Sequence, residues 1–325
     1  MSNPACTSPA TPDLILANPY AGGGFARKSI PRLQRFAAQR GWNAEFRSAG
    51  SVAEFTQIAQ AEASQGRTRI FAFGGDGTFQ ALLNALAQCP GVSIGILPAG
   101  GGNDLAMALG LPRDPIRAAE AILSHGELRA LDAARVRTAD GSQRLYMGGG
   151  GVGLDAEAAH FASGVYRNLP GRSRYLCSAI RALASFHAPE VRVSFGAAGH
   201  EDTIAGHALV LGILNTPSYG AGLRLAPGAN LQDGRLDLVM LEDLSLMEIV
   251  KVLPSLAYSG ELRTQRIQRF VVEQARIETD RLCWFHADGE IIGQTPVEIA
   301  VVPRAKRVWC VARSAQSTKS MMAPS

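Results

Sequence analysis

The stretch RIFAFGGDGTFQALLNAL, residues 69–86, decides the fold class of this chain. It begins with an apolar run of strand length, Ile70–Phe73, in which polar and apolar residues do not alternate. After a GGDGT turn, Phe79, Leu82 and Leu86 follow at helical spacing. An apolar strand that leads through a glycine turn into an amphipathic helix is typical of a parallel sheet covered by helices.

The same pattern recurs on both sides of this stretch. A strand at Leu14–Ala17 precedes a glycine cluster and a helix near Phe25–Arg40. A strand at Val92–Leu97 precedes a second glycine-rich loop. We therefore predict an α/β nucleotide-binding domain with a parallel sheet over residues 13–130.

Beyond residue 130, short strand-like runs replace this pattern, and some of them alternate polar and apolar residues, as in Arg269–Glu273. Such alternation indicates an antiparallel sheet. We predict a β-rich domain, an antiparallel sandwich, over residues 131–304, with a cleft between it and the first domain. Residues 1–12 and 314–325 are predicted to be disordered tails. The predicted strands are Ala133–Thr138, Val191–Phe195, Ala208–Leu214, Leu236–Leu241, Phe270–Ile277, Leu282–His286, Val297–Val302 and Arg307–Val311.

Two helices are predicted to interrupt these strands. One lies near Arg174–Phe186, and the other begins at a capping box formed by Ser245 and Glu248.

The composition excludes several classes of protein. Apolar residues make up 46% of the 325 residues and charged residues 18%, which excludes wholesale disorder. The formal net charge is only +4, from 32 basic and 28 acidic residues. No basic block is interleaved with aromatic residues, so we expect no nucleic-acid partner.

Targeting and cysteine patterns favour a cytoplasmic protein. No apolar run approaches the roughly 18 residues of a membrane-spanning helix. The first residues, MSNPACTSPATPD, carry neither the basic nor the apolar region of a secretory signal. The five cysteines form no C-x-x-C pair, so we expect free thiols rather than disulfides or a zinc site.

The GGDGT loop carries the sharpest chemical signal. Its glycines let backbone N–H groups approach a ligand, and the following helix, for which Thr78 is the predicted N-cap, adds positive potential. Together these features predict a phosphate cradle. Asp76 would repel phosphates unless Mg²⁺ lies between them, since Mg²⁺ bridges carboxylates and phosphates. The alternative interpretation is a tight turn with a capping aspartate.

Two further glycine loops follow. Pro98–Ala106 lies between a strand and a helix and is expected beside the first loop, because ligands bind at the carboxyl ends of parallel strands. A turn capped by Asn103 is the alternative. Gly148–Ala156 matches G-x-G-x-x-G, but no acidic residue occurs in Arg167–Tyr175, where NAD binding would require one. We predict that this loop lines the interdomain cleft.

Two Asp-Gly segments, Asp233–Asp237 and Asp288–Glu290, precede strands, where ordinary hairpin turns are the alternative interpretation. Phosphoryl transfer needs metal ligands and a base. Asp76, Asp233 and Glu290 could supply these groups if the fold brings them together.

Other catalytic signals fail. No Gly-Lys pair occurs, so there is no Walker A motif. Residues 91–95 match G-x-S-x-G, but Ser93 belongs to an apolar strand rather than to a sharp turn. The six histidines show no metal-ligand spacing and are expected to be surface or structural residues: His125, His160, His187, His200, His207 and His286.

Taken together, these segments resemble the diacylglycerol kinase catalytic-domain family, which includes bacterial soluble lipid kinases and the sphingosine and ceramide kinases. The likeness extends from about Leu14 to Val311. The matching motifs, in the family's order, are Asn18-Pro19 with Gly22–Gly24, Gly74–Thr78, Leu97–Ala106, Tyr219–Gly222 with Ala226-Pro227, Asp233–Asp237 and Asp288–Glu290.

The resemblance implies that the last strand, about residues 305–313, returns to the first domain. It also implies ATP and Mg²⁺ as cofactors, and Asp76 and Glu290 as catalytic residues, with Glu290 taking the proton of a lipid hydroxyl. The implied metal ligands are Asp233 and backbone oxygens of Asn230 and Arg235. The implied nucleotide-binding residues are Ser48, Gly74, Gly75, Asp76, Gly77, Thr78, Phe79, Gln80, Gly100, Gly101, Asn103 and Asp104.

The chain departs from the family at Gly101, where a threonine is usual, and at Gly148, where an asparagine is usual. Because Asp76 and Glu290 are present, the resemblance implies an active lipid kinase of phospholipid metabolism, acting on diacylglycerol or a related lipid. A kinase of a soluble metabolite or nucleotide is one alternative, and a non-catalytic nucleotide-binding regulator is another. The arginines and apolar residues of Val165–Phe186 could contact an anionic membrane surface, or could form an ordinary amphipathic helix.

Overall fold

The structure, a computed structural model, describes residues 11–166, 177–178, 180–184, 186–197, 200–219, 224–244, 247–248 and 264–312. It confirms the predicted fold class, an α/β region with parallel strands followed by a β-rich region. In these residues the helices are α1 Ala21–Gln39, α2 Val52–Ser64, α3 Asp76–Ala85, α4 Asp104–Ala108, α5 Pro115–His125 and α6 Leu154–Ser163. The strands are β1 Asp13–Ala17, β2 Ala44–Ser48, β3 Arg69–Gly74, β4 Ser93–Pro98, β5 Gly126–Thr138, β6 Gln143–Tyr146, β7 Gly149–Gly153, β8 Glu190–Ala197, β9 His200–Leu214, β10 Leu236–Glu242, β11 Ile267–Val272, β12 Gln274–Thr279, β13 Trp284–Ala287, β14 Glu290–Gln294 and β15 Val297–Val311.

The parallel strands of the first region lie in the order β2, β1, β3, β4. Leu14–Leu16 in β1 and Ile70–Phe73 in β3 are fully buried, which explains why these runs do not alternate. Phe79, Leu82 and Leu86 from α3 are buried in the same core. The helical spacing of these residues therefore marks the face that packs on the sheet.

The second region is antiparallel and has its own apolar core. Strand β9 pairs with β7, β8 and β10, and β13 pairs with β7 and β14. Val193, Leu211 and Phe285 are among the buried residues of this core. The β13–β14 hairpin brings the Asp288–Gly289 turn to the side of the first region.

Strand β15 contacts both regions. Its first part pairs with β12 and β5, whereas Val308 pairs in parallel with Ile94 of β4. Strand β5 accompanies β15 over almost its whole length, apart from a bulge between Val302 and Lys306. The two regions therefore share a pair of long strands rather than a flexible linker.

Three predictions about local structure are wrong. Phe270–Ile277 is divided into β11 and β12, because β11 pairs with β10 while β12 pairs with β8 and β15. The two runs predicted at Val297–Val302 and Arg307–Val311 form one strand, since β5 pairs with both. Thr78 is not an N-cap: α3 begins at Asp76, and Gly75 precedes it as the cap.

The helix predicted near Arg174–Phe186 and the Ser245 capping box lie partly outside the described residues. Within the described part of the chain, no helix combines the length and the apolar character needed to cross a bilayer.

Candidate active site

The nucleotide-motif residues gather at the carboxyl edge of the parallel sheet. The register pairs Ala17 with both Ser48 and Phe73, and Gly74 with Pro98, so these strands end at one level. The glycine loops that follow β3 and β4 therefore lie next to each other. Ser48 is exposed at the same edge, at the end of β2.

The two loops touch through their backbones. A methyl group in place of a hydrogen on Gly100 would lie 2.6 Å from the Cα atom of Gly75, so Gly100 has no room for a side chain, and a methyl group on Gly75 would lie 3.1 Å from Gly100 Cα. The Ala99 amide donates to the Gly74 carbonyl at 2.7 Å. Asn103 fixes the second loop, because its side-chain oxygen accepts from Gly100 N–H at 2.9 Å and its Nδ2 donates to Gly100 O at 2.9 Å. These contacts hold the backbones of the two glycine loops side by side, so that together they form one surface lined by backbone groups.

Asp76 links the two loops through its carboxylate. The amides of Asp104 and Leu105, at the start of α4, donate to it at 3.3 and 3.2 Å. Burial and then the negative charge of Asp104 raise the pKa of Asp76 to about 6. A cation at this position would relieve the repulsion between the two carboxylates.

The other residues of the first motif face different partners. Thr78 Oγ1 accepts from Asn18 Nδ2 at 3.3 Å, which joins the opening Asn-Pro motif to α3. The Phe79 ring is fully buried in the core. The Gln80 amide donates to the carbonyl of Ala287 at 2.9 Å, in the second region. Gly101 is exposed, with open space where a side chain would stand.

The Asp-Gly-Glu segment forms the turn between β13 and β14. Asp288 and Gly289 have positive φ angles of 49° and 84°, as a type I′ hairpin turn requires. The Asp288 carboxylate accepts from three successive amides, those of Met147, Gly148 and Gly149, at 3.3, 2.9 and 3.1 Å. Burial and then the negative charge of Asp76 raise the pKa of Asp288 to about 7.

Glu290 follows this turn and meets the first glycine loop. A methyl group on Gly77 would lie 2.7 Å from Glu290 Oε1, so the Glu290 carboxylate lies directly against the first glycine loop. The Glu290 side chain is on the exposed side of the hairpin. The fold thus brings together Asp76, Asp288 and Glu290 from segments more than 200 residues apart in the sequence.

The third glycine loop is not a nucleotide turn. It forms the buried strand β7 and donates Gly148 and Gly149 amides to Asp288. The glycine-rich strand therefore holds the Asp-Gly-Glu turn in place. Asp288 was not among the predicted site residues, although its position within the motif could have indicated it.

The late Asp-Gly loop lies elsewhere on the second region. Asp233 is exposed, and its carboxylate accepts from Arg235 N–H at 3.0 Å. Burial and the nearby Asp233 charge raise the pKa of Asp237 to about 6. Two carboxylates that repel each other, in an exposed loop that also includes Asn230, are the oxygen donors that a divalent cation such as Mg²⁺ prefers. In the described residues, no cluster of three or more His, Cys, Asp or Glu side chains is placed to hold a metal, so backbone oxygens would have to complete this site.

Asp132 supports this late loop, and no motif in the sequence indicates it. It is 1% exposed, and its two carboxylate oxygens accept from Gly234 N–H and Arg304 N–H, each at 2.7 Å. Nothing in the local sequence around Asp132 distinguishes it from a surface aspartate of an alternating strand.

A second missed cluster contains Asp155, Tyr219 and His286. The Tyr219 hydroxyl contacts Asp155 Oδ2 and lies 2.6 Å from His286 Nε2, which is 2.8 Å from the same carboxylate oxygen. Burial would raise the pKa of Asp155, but the hydrogen bond and charge of His286 hold it below its ordinary value. His286, expected only as a surface or structural residue, is a buried member of the strand that leads to Asp288.

Two family models match the chain. The model for the diacylglycerol kinase catalytic domain matches residues 12–136. The model for the YegS C-terminal NAD kinase beta sandwich-like domain matches residues 124–310, more than half of the chain.

Curated proteins match over most of their length. A diacylglycerol kinase from Mycobacterium tuberculosis is 27% identical over 293 residues, which cover 90% of this chain and 93% of the relative. A diacylglycerol kinase from Bacillus subtilis is 26% identical, covering 87% and 91%. A Pseudomonas aeruginosa protein named "Probable lipid kinase YegS-like" is 30% identical over 304 residues, covering 93% and 94%.

A solved structure shares the fold. The crystal structure of a diacylglycerol kinase from Bacillus anthracis superposes with a TM-score of 0.68 and 19% sequence identity, covering 93% of this chain and 97% of that chain. At this identity the likeness concerns the architecture only.

Proposed function

Because the chain belongs to the family of diacylglycerol kinases and YegS-like lipid kinases, we propose that it transfers the γ-phosphate of ATP to a hydroxyl group of diacylglycerol or a related lipid. One observation carries this proposal: the fold brings together two carboxylates, one from each region of the chain, that are of the kind used in catalysis. Asp76 stands in the first glycine loop, and Glu290 lies opposite Gly77 of the same loop. A phosphate held by that loop would lie within reach of both.

The nucleotide would bind along the carboxyl edge of the parallel sheet. The backbone amides of the loops Gly74–Thr78 and Gly100–Asp104, with the N-terminus of α3, provide donors and positive potential for phosphates. Ser48 is exposed at this edge and could contact the nucleotide. The open space at Gly101 leaves the second loop without the hydroxyl group that threonine would supply.

Transfer then follows in one step. The hydroxyl oxygen of the lipid forms a bond to the γ-phosphorus as the bond from that phosphorus to the β–γ bridging oxygen breaks, and ADP leaves. Glu290 accepts the hydroxyl proton and returns it to solvent. Mg²⁺, when bound, neutralises charge on the transferred phosphoryl group. Asp76 faces this charge and keeps the two glycine loops together through its bonds to α4.

The late loop would hold a separate Mg²⁺ ion with a structural role. Asp233 and backbone oxygens of Asn230 and Arg235 are the proposed ligands, and the Asp237 carboxylate adds negative charge beside them. Asp132 fixes the loop through Gly234 N–H.

A lipid acceptor implies that the enzyme acts at a membrane surface. The acyl chains of the lipid would stay in the bilayer, and its hydroxyl group would reach Glu290 from the cytoplasmic face. The predicted membrane contact, Val165–Phe186, lies largely outside the described residues and stays a prediction.

The test is transfer of labelled γ-phosphate from ATP-Mg²⁺ to a total lipid extract. Wild type is compared with Asp76→Asn and Glu290→Gln, and with Asp140→Asn as a control in an exposed turn. We expect a labelled lipid in wild type and the control. Because loss of a positioned base commonly lowers rates about 10²- to 10⁴-fold, we expect at least about a 100-fold loss with Glu290→Gln.

The other outcomes distinguish the alternatives. Label transferred only to a water-soluble fraction would contradict the lipid assignment and favour a kinase of a soluble metabolite. ATP binding without transfer to any acceptor would favour a nucleotide-binding regulator.

A further inference from the structure

Helix α3 carries the first glycine loop at its start and contacts the second region further along. We infer that Gln80 and Asn84 of this helix are positioning residues, which set the place of Glu290 relative to the glycine loop. The inference rests on the proposed function, and it assigns Gln80 a different role from the nucleotide contact that its motif implies.

Gln80 reaches the strand that leads to the Asp-Gly-Glu turn. Its side chain is buried, and Nε2 donates to Ala287 O at 2.9 Å. Ala287 is the last residue of β13 and stands three residues before Glu290. The bond therefore joins the nucleotide-loop helix directly to the hairpin of the proposed base.

Asn84 makes a second connection one helical turn later. Its Oδ1 accepts from Leu145 N–H at 2.9 Å, and its Nδ2 donates to Leu145 O at 2.8 Å. The same Nδ2 group also donates to the Gln80 carbonyl at 2.8 Å. Leu145 belongs to β6, which follows the first domain in the sequence. The Asn84 side chain therefore joins α3 to a second strand outside that domain.

The two contacts lie on one face of the helix, because residues four apart are neighbours on a helix surface. Asp76 is the first residue of α3 and Gln80 is four residues on, a rise of about 6 Å along a rigid element. One short helix therefore sets the positions of both Asp76 and the Glu290 hairpin. Phosphoryl transfer depends on such alignment, and a displacement of about 1 Å can lower rates about 100-fold.

The proposal makes a kinetic prediction that a nucleotide contact would not. Gln80→Met keeps the shape of the side chain but removes the donor to Ala287 O. We expect kcat to fall about 10- to 100-fold, while the KM for ATP and the Kd for ADP stay within about twofold. Gln80→Glu, which places a carboxylate against the same carbonyl, should lower kcat further. Asn84→Leu should lower kcat in the same way as Gln80→Met.

Gln60→Met is the matched control. Gln60 also donates from a helix to a backbone carbonyl, that of Ala85 at 3.3 Å, but both residues belong to the first domain. We expect its kcat to equal that of wild type. A rise of tenfold or more in the Kd for ADP with Gln80→Met would assign Gln80 to the nucleotide and overturn the proposal. Wild-type kcat in both Gln80→Met and Asn84→Leu would also overturn it.

Amide hydrogen exchange tests the same contacts without any turnover. We expect Asn84→Leu to speed exchange at Leu145, whose N–H bonds to Asn84 Oδ1, and Gln80→Met to speed exchange in residues 287–290. Gln60→Met should change neither region. If the chain phosphorylates no lipid but these exchange changes occur, the proposed function fails while the positioning contacts stand. Unchanged exchange in both variants would overturn the inference whatever the substrate.

Discussion

Individual carboxylates in the candidate site oppose one another's ionisation. Asp76 has a pKa raised to about 6 and Asp288 a pKa raised to about 7, against 3.8 for an ordinary aspartate. For each, burial is the larger cause and a neighbouring carboxylate adds to it. Asp76 interacts with both of the other carboxylates: the charge of Asp104 raises the pKa of Asp76, and the charge of Asp76 raises the pKa of Asp288. When these aspartates are all ionised, the site therefore holds negative charges that repel one another.

This arrangement predicts how stability depends on pH. Between about pH 4 and about pH 7 the folded chain holds protons on Asp76 and Asp288 that the unfolded chain has lost. The contribution of these groups to the free energy of unfolding therefore falls as pH rises through this window and is constant above it. Asp76→Asn should make the slope shallower, because it removes one titration and lowers the pKa of Asp288. Urea unfolding at pH 5 and pH 8 measures the difference.

Asp140→Asn is the control for this measurement. Asp140 is exposed in a turn, and its hydrogen bond from Thr138 holds its pKa below the ordinary value, so it titrates below the window. An Asp76→Asn variant that keeps the wild-type slope between pH 5 and pH 8 would contradict the prediction.

Among the elements, β7 depends most on close backbone packing. This strand lies between β13 and β9, and all its residues are buried. A methyl group on Gly150 would lie 2.7 Å from the His286 carbonyl oxygen and 3.0 Å from the Phe285 ring. The amides that hold Asp288 belong to the first residue of this strand and the two residues before it, so the position of the strand affects the candidate site.

We expect Gly150→Ala to lower the free energy of unfolding by about 1–3 kcal/mol, because the added methyl group meets backbone that cannot move aside. Gly91→Ala is the matched control, since nothing lies within 4 Å of its added methyl group. Its effect should stay within about 0.5 kcal/mol. Chemical denaturation of both variants provides the comparison, and equal stabilities would refute the packing argument.

At the scale of the whole molecule, β5 and β15 tie the two regions into one body. They run side by side through both regions. Asp132, in β5, adds bonds to Gly234 and Arg304, which belong to the late loop and to the bulge of β15. Its backbone O also accepts from Asn215 Nδ2 at 2.9 Å. Such shared strands and buried bonds favour unfolding as a single unit.

Asp132→Ala would leave the part-buried amides of Gly234 and Arg304 without their acceptor, at up to about 1–3 kcal/mol each. We expect a loss of about 2–5 kcal/mol in the free energy of unfolding, with tryptophan fluorescence and far-ultraviolet circular dichroism still reporting one coincident transition. Asp140→Ala, in the exposed turn after β5, should change stability by less than about 1 kcal/mol. Two separate transitions in wild type would show that the regions unfold independently.

Much of the architecture was predictable because it depends on local patterns. The unalternating run Ile70–Phe73 and the helical spacing of Phe79 and Leu82 determine a covered parallel strand and its helix. The rule that parallel strands end at one edge then places the loops after β3 and β4 together. The division of 270–277 into two strands was not predictable, because it depends on which strands pair with each half.

In the candidate site too, some features were predictable from the sequence and others were not. The motifs indicated Asp76 and Glu290, and their roles, like those of the nucleotide-binding and metal residues, stay predictions. The contacts that join them were not indicated. Gln80 meets Ala287 across 207 positions of sequence, and the late loop meets Asp132 across 102.

The sequence by itself therefore determined the two kinds of sheet, the glycine loops and the family, because each is encoded in residues that are close together along the chain. Only the tertiary structure decided that Asp288 is held by the amides of β7 and its preceding residues, that His286 is buried beside Asp155, and that Gln80 bonds to Ala287. Hydrogen bonds between distant segments depend on how strands pair and helices pack, and no local propensity specifies those partners.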